Sequence, residues 1–124
     1  MRLLLDTQAA IWWLSDDPRL AATAASQLHD DSNQVLLSAV VVWEVAIKRA
    51  LGKLESPDGF APRLLGAGAV ALAVSIEHAA GVERLPQHHR DPFDRMLISQ
   101  AMIERATIVS SDPKLSAYDV PILW

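Results

Sequence analysis

Short, wholly apolar runs alternate along this chain with longer stretches that carry apolar residues at helical spacing. Leu3-Leu4-Leu5, Val35-Leu36-Leu37-Ser38, Val70-Ala71-Leu72-Ala73-Val74 and Thr107-Ile108-Val109-Ser110 read as four strands. A strand covered on both faces shows such a continuous run rather than a polar alternation. Ala9 to Leu14 predicts a first helix. Asp17-Pro18 predicts the start of a second, with Asp17 as cap and Pro18 at the first helical position, running to about His29. A third spans Val40 to Leu51 and closes on Gly52 as a left-handed cap. After the turn Ser56-Pro57-Asp58-Gly59 comes a short helix over Phe60 to Leu65, and Ser75 caps another over Glu77 to Arg84. Asp91-Pro92 repeats the cap-and-proline signal, and Phe93, Met96, Leu97, Ile98, Ala101 and Ile103 then follow at helical spacing. Asp112-Pro113 opens a last short helix over Lys114 to Ala117, and Val120 to Leu123 reads as an edge strand that tolerates its proline.

This alternation predicts an α/β fold, an open parallel sheet layered with helices. Ligands of such sheets bind beyond the carboxyl ends of the strands. Asp6 ends the first strand and Asp112 lies just past the fourth, so these two acids are expected on one face. Glu44 lies in the helix after the second strand and Asp94 in the first turn of the helix before the fourth, so packing must bring them there. Three of them, and Asp91 beside them, also have an ordinary structural reading. Asp91 and Asp112 serve as caps, Asp94 favours the helix dipole, and Glu44 pairs with Lys48 four residues on.

Four carboxylates gathered without a counter-ion repel one another. Mg²⁺ or Mn²⁺, which take oxygen ligands, would resolve that conflict. A softer metal is not indicated: there is no cysteine, and His88 and His89 are adjacent rather than three or four residues apart. Those two histidines are expected to touch phosphate or simply to face solvent.

The length of 124 residues, 51% of them hydrophobic, fits one compact domain over residues 1–124. A net charge of −4 excludes a protein that coats nucleic acid by bulk electrostatics. It leaves room for a nuclease, because bound cations reverse the sign of an acidic pocket. The absence of cysteine suits a reducing cytoplasm. Asp6 comes too early for a signal peptide, and the apolar run Leu64 to Val74 is too short to span a bilayer, so a soluble cytoplasmic protein is expected.

Four pieces, in this order, carry a resemblance over nearly the whole chain. They are Leu4-Leu5-Asp6-Thr7, Ser38 with Trp43-Glu44-Val45-Ala46-Ile47-Lys48, Asp91-Pro92-Phe93-Asp94-Arg95-Met96-Leu97-Ile98-Ser99-Gln100-Ala101, and Ser110-Ser111-Asp112. The chain resembles a PIN domain, specifically a VapC-type toxin of a bacterial type II toxin–antitoxin pair. That resemblance implies a three-layer α/β/α fold around a mostly parallel sheet of four to five strands. It implies a Mg²⁺- or Mn²⁺-dependent endoribonuclease that hydrolyses RNA with metal-activated water, leaving 5′-phosphate and 3′-hydroxyl ends.

Asp6, Glu44 and Asp94 would match the family's central metal-binding acids and Asp112 its more variable fourth. Ser110 would match the small polar residue, commonly threonine, that orients the site. The resemblance further implies a homodimer and a small antitoxin partner, with Trp12, Trp13 and Trp43 as candidate aromatic anchors. Lys48, Arg49, Arg90 and Arg95 are the candidate contacts to RNA phosphates. Two other readings stay open: a catalytically inactive PIN-like module that binds RNA or protein, and a nuclease of general RNA maturation. A haloacid-dehalogenase-type phosphatase is disfavoured because Gln8 stands where its second aspartate belongs, and a receiver domain because paired acids are missing after the first strand.

Overall fold

The computed structural model describes residues 1–124. Its centre is β1 (Arg2–Leu5), whose Leu3, Leu4 and Leu5 are fully buried. On one side β1 pairs in parallel with β2 (Gln34–Ser38), which pairs in turn with β3 (Val70–Leu72). On the other side it pairs with β4 (Thr107–Val109), flanked by β5 (Ile122–Leu123). The sheet is parallel throughout, in the order β3-β2-β1-β4-β5. That order explains the uninterrupted apolar runs, since the inner strands are covered from both faces.

The chain moves outward from β1 to β3 and then crosses back to β4. Parallel crossovers are right-handed, so this reversal sends the later helices to the opposite face and yields three layers, α/β/α. The outward crossovers carry α1 (Thr7–Leu14), α2 (Ala22–His29), α3 (Ala39–Ala50) and α4 (Phe60–Gly66). The return carries α5 (Ile76–Gly81) and α6 (Pro92–Glu104). Helix α1 packs on α3 and α4, α5 on α6, and α3 also meets α6. No helix is long and apolar enough to cross a membrane.

Several junctions differ from the sequence reading. Asp17-Pro18 does not start α2, which begins at Ala22 without a side-chain cap. The Asp17 carboxylate instead accepts the Arg19 backbone N–H at 2.9 Å and its guanidinium at 2.7 Å. A local side-chain turn has outcompeted the helix start there. Helix α1 begins at Thr7 rather than Ala9, because Asp6 itself is its cap. β3 stops at Leu72 rather than Val74: Leu72 pairs with Ser38, the last residue of β2, and the ladder has no partner beyond it. After Gly81 the chain tightens into a 3-10 turn, Val82–Arg84, and Pro113–Ala117 is likewise 3-10. Gly52 does adopt the left-handed conformation, at φ 67°.

Candidate functional site

Asp6 follows the last residue of β1, and its backbone N–H donates to the Val109 carbonyl of β4 at 3.2 Å. Its carboxylate accepts the Ala9 N–H at 2.7 Å, so one side chain closes the strand and caps α1. Ser38 does the same between β2 and α3, accepting the Val40 N–H at 3.1 Å and donating to Gln100 of α6. From that anchored start α3 delivers Glu44, which is only 7% exposed. One Glu44 oxygen accepts the Thr7 hydroxyl at 2.5 Å and the other the Lys48 ammonium. The i,i+4 pair expected from the sequence therefore exists, and it is what compensates a buried carboxylate.

Asp91 caps α6, accepting the N–H groups of Phe93 and Asp94 at 2.9 and 3.1 Å, which sets Asp94 in the first turn. After β4, Ser110 is buried and its hydroxyl accepts the Asp112 N–H at 3.0 Å. The Asp112 carboxylate accepts the Lys114 N–H at 2.9 Å.

Asp6, Glu44, Asp91, Asp94 and Asp112 line one cavity of about 320 Å³ with Lys48, Thr7, Gln8, Ser111 and the single apolar residue Leu54. The crowding of acids is felt in their ionisation. Burial pushes Asp6 from its ordinary 3.8 up to about 6, against the Ser110 hydroxyl and the Ala9 N–H, and the charges of Asp112 and Glu44 add to the rise. Asp94 is also pushed up to about 6, first by burial and then by Asp91, with Glu44 and Asp112 adding and His89 opposing. Lys48 is raised, first by its bond to Glu44.

The donor set, carboxylate and hydroxyl oxygen without sulfur, is the kind that Mg²⁺ or Mn²⁺ takes. As the side chains stand, no three acids or histidines come close enough together to hold an ion. The residues fit a hard cation in chemistry and in shared cavity; drawing them around an ion requires side-chain movement.

The remaining candidates divide. Arg95 is a correction. It is 7% exposed, and its guanidinium is spent on the carbonyls of Pro86, Val82 and Leu85 and on the Tyr118 hydroxyl, so it faces the interior rather than an RNA phosphate. Arg49 is on the surface but pairs with Asp58 at 2.7 Å. Arg90 is exposed, and Lys48 lines the cavity.

His88 is exposed as expected, whereas His89 is half-buried and hydrogen-bonded to Tyr118. Trp12 and Trp13 are both half-buried, Trp12 packing on Trp124 at 5.7 Å. Trp43 is 59% exposed and lies edge-on to Phe93 at 5.3 Å. Thr7, Tyr118 and His89 were missed as supports of the acids. Thr7 had a signal, its place beside Asp6, but nothing local ties Tyr118 to a loop 29 residues earlier.

A profile of the PIN domain matches residues 3–121. The chain belongs to the PIN-domain family. It is 39% identical over 71 residues to Ribonuclease VapC16 of Mycobacterium tuberculosis, a match covering 51% of this chain and 50% of that relative. The chain thus spans about half the length of the curated relative it matches.

Among solved structures, VapBC2 from Rickettsia felis bound to a promoter DNA fragment is similar with a TM-score of 0.75 and 15% identity, covering 100% of this chain and 99% of that one. FitAcB from Neisseria gonorrhoeae gives a TM-score of 0.66 and 20% identity over 98% and 96% of the two chains. A toxin–antitoxin complex from Klebsiella pneumoniae gives 0.67 and 17% over the same shares, 98% and 96%. At these identities the structural likeness is one of fold. In this PIN domain the acid-lined cavity therefore sits where parallel α/β sheets bind ligands, beyond the carboxyl ends of β1 and β4.

Proposed function

We propose that this PIN domain is a Mg²⁺- or Mn²⁺-dependent endoribonuclease, the toxin component of a bacterial type II toxin–antitoxin pair. The observation that carries the reading is the meeting of Asp6, Glu44, Asp94 and Asp112 in one cavity, where burial and mutual repulsion lift Asp6 and Asp94 to about 6. Those four side chains would hold the cation. When bound, it supplies Lewis-acid activation of water and neutralises charge on the attacked phosphodiester.

The protein's own groups do the rest. The Ala9 N–H holds Asp6, Thr7 and Lys48 hold Glu44, and Ser110 braces the backbone that carries Asp112. Arg90 is the exposed cation left for RNA phosphates, Lys48 reaches the cavity already bonded to Glu44, and Asp91 stays a cap. The antitoxin partner and the homodimer belong to the same proposal; the solved structures' own description as VapBC and toxin–antitoxin assemblies supports the antitoxin.

The test is cleavage of total cellular RNA by purified protein, freed of any antitoxin, with Mg²⁺ or Mn²⁺ against EDTA and with Asp94→Asn alongside. Cutting that requires the metal and disappears in Asp94→Asn is expected. A folded wild type that cuts nothing with Mn²⁺ present would overturn the reading in favour of a binding module.

A further inference from the structure

The geometry points to His89 as a positioning residue, holding the Asp94 carboxylate at the end of a one-directional hydrogen-bond chain that starts at the buried Arg95. The inference rests on the reading that Asp94 belongs to the reacting site. Arg95 follows Asp94 on α6, and its Nη1 donates to the Pro86 carbonyl at 2.7 Å. Its Nη2 donates to the carbonyls of Val82 at 3.2 Å and Leu85 at 3.4 Å. The guanidinium is thereby clamped to the segment that leads into α6, and Nη1 makes one more bond, to the Tyr118 oxygen at 3.2 Å.

A guanidinium can only donate, so the Tyr118 oxygen is the acceptor there. The tyrosine proton then points to Nδ1 of His89, 2.8 Å away. With a carboxylate acceptor facing the other ring nitrogen, Nδ1 accepts it and the ring proton sits on Nε2. Nε2 faces Asp94 Oδ2 at 3.4 Å. The direction follows from the two ends together: Arg95 can only donate, and an ionised Asp94 carboxylate can only accept.

The other site carboxylates each have an orienting donor nearby. Ala9 serves Asp6, Thr7 and Lys48 serve Glu44, and Lys114 serves Asp112. Asp94 has only His89, delivered by the loop before its helix. Tyr118 is 4% exposed, and His88 and His89 both pack edge-on to its ring, at 4.9 and 5.4 Å between centroids. The ring, the loop and the carboxylate are thus held as one unit. A merely structural version of this cluster would anchor the loop and leave the direction of Asp94 to chance.

The experiment has two arms. On metal-free protein, at a pH where the ring is neutral, long-range ¹H–¹⁵N NMR reads the His89 tautomer in wild type and Tyr118→Phe. The Nε2–H form is expected in wild type and a mixture in Tyr118→Phe; an Nδ1–H wild type overturns the chain. In the second arm, Mn²⁺-dependent RNA cleavage and thermal unfolding are compared for wild type, His89→Leu and His89→Gln. His89→Leu is expected to lower kcat by about 10- to 100-fold with KM little changed, the usual size of effect for a residue that orients a ligand.

His89→Gln can still donate to Asp94 and accept from Tyr118, so it should recover most of kcat. If His89→Leu fails to fold, the comparison of His89→Gln with Tyr118→Phe carries the test. Tyr118→Phe should lose kcat while His89→Gln keeps it. A His89→Leu enzyme with wild-type kcat, or a Gln variant no better than Leu, overturns the positioning role and leaves the nuclease reading standing. A wild type that cuts no RNA overturns both, whatever the tautomer.

Discussion

Asp6 carries two loads that pull on its chemistry in opposite directions. As the cap of α1 it needs only an oxygen acceptor for the Ala9 N–H; as a member of an acid cluster it is forced toward the protonated state. Asparagine keeps the acceptor and removes the charge, so Asp6→Asn separates the roles where Asp6→Ala would lose both. The pH dependence follows from the direction of the shift. A native carboxyl near 6 holds its proton while the unfolded chain, near 3.8, has released it. The native state then binds more protons through that window, so the stability of the metal-free protein falls as pH rises from about 4 to about 6. The loss attributable to Asp6 is on the order of 1 to 3 kcal/mol. Urea unfolding of metal-free protein across that range checks it. The Asp6→Asn midpoint should be flatter with pH and higher than wild type at neutral pH; a wild-type midpoint that climbs through the window would contradict the assignment.

The strand-to-helix junctions are where individual elements bring chemistry to the site. Asp6 and Ser38 close strands and Asp91 closes a loop, and each caps the helix that follows, so α1, α3 and α6 start at fixed points around the cavity. The helix behind this frame depends on close contact. A Cβ on Gly81 of α5 would meet Ser99 Oγ of α6 at 2.5 Å. That hydroxyl cannot simply rotate away, because it donates to the His78 carbonyl at 2.6 Å within the buried interface. Gly81→Ala is therefore expected to destabilise the fold by about 1–3 kcal/mol through overpacking. Denaturant midpoints would show it, and a wild-type midpoint would mean α5 can lift from α6 without penalty. The double variant Gly81→Ala/Ser99→Ala should recover part of the loss.

For the molecule taken whole, the acid cluster should make stability depend on the cation as much as on packing. A ligand that binds only the native state at about 100 times its Kd adds about 2.7 kcal/mol. Mn²⁺ should thus raise the thermal midpoint, EDTA should reverse the rise, and Asp94→Asn should abolish most of it. A midpoint indifferent to Mn²⁺ would count against a resident cation without any activity assay. The net charge of −4 makes the same point for RNA. Phosphates approach a cavity with five acids and one lysine only when that field is offset, so RNA binding is expected to weaken sharply when the divalent ion is removed.

The strands, the Asp91-Pro92 cap and the left-handed Gly52 were legible along the chain, because each depends on neighbours within a few residues. The acids at the strand ends, Asp6 and Asp112, were legible as facing one way, since strand direction in a parallel sheet carries that information. The Asp17-Pro18 start was misread because two local hydrogen-bonding schemes competed and an arginine two residues on decided between them. Packing settled the rest. Whether Glu44 and Asp94 look into the same cavity depends on how α3 and α6 meet, which no spacing within either helix contains. The same holds for Arg95: its charge suggested a surface, yet four oxygen acceptors from two other segments drew it inward. Side-chain partners that lie far apart in the chain are chosen by the sheet order and the helix packing, and they exist only once the chain has folded.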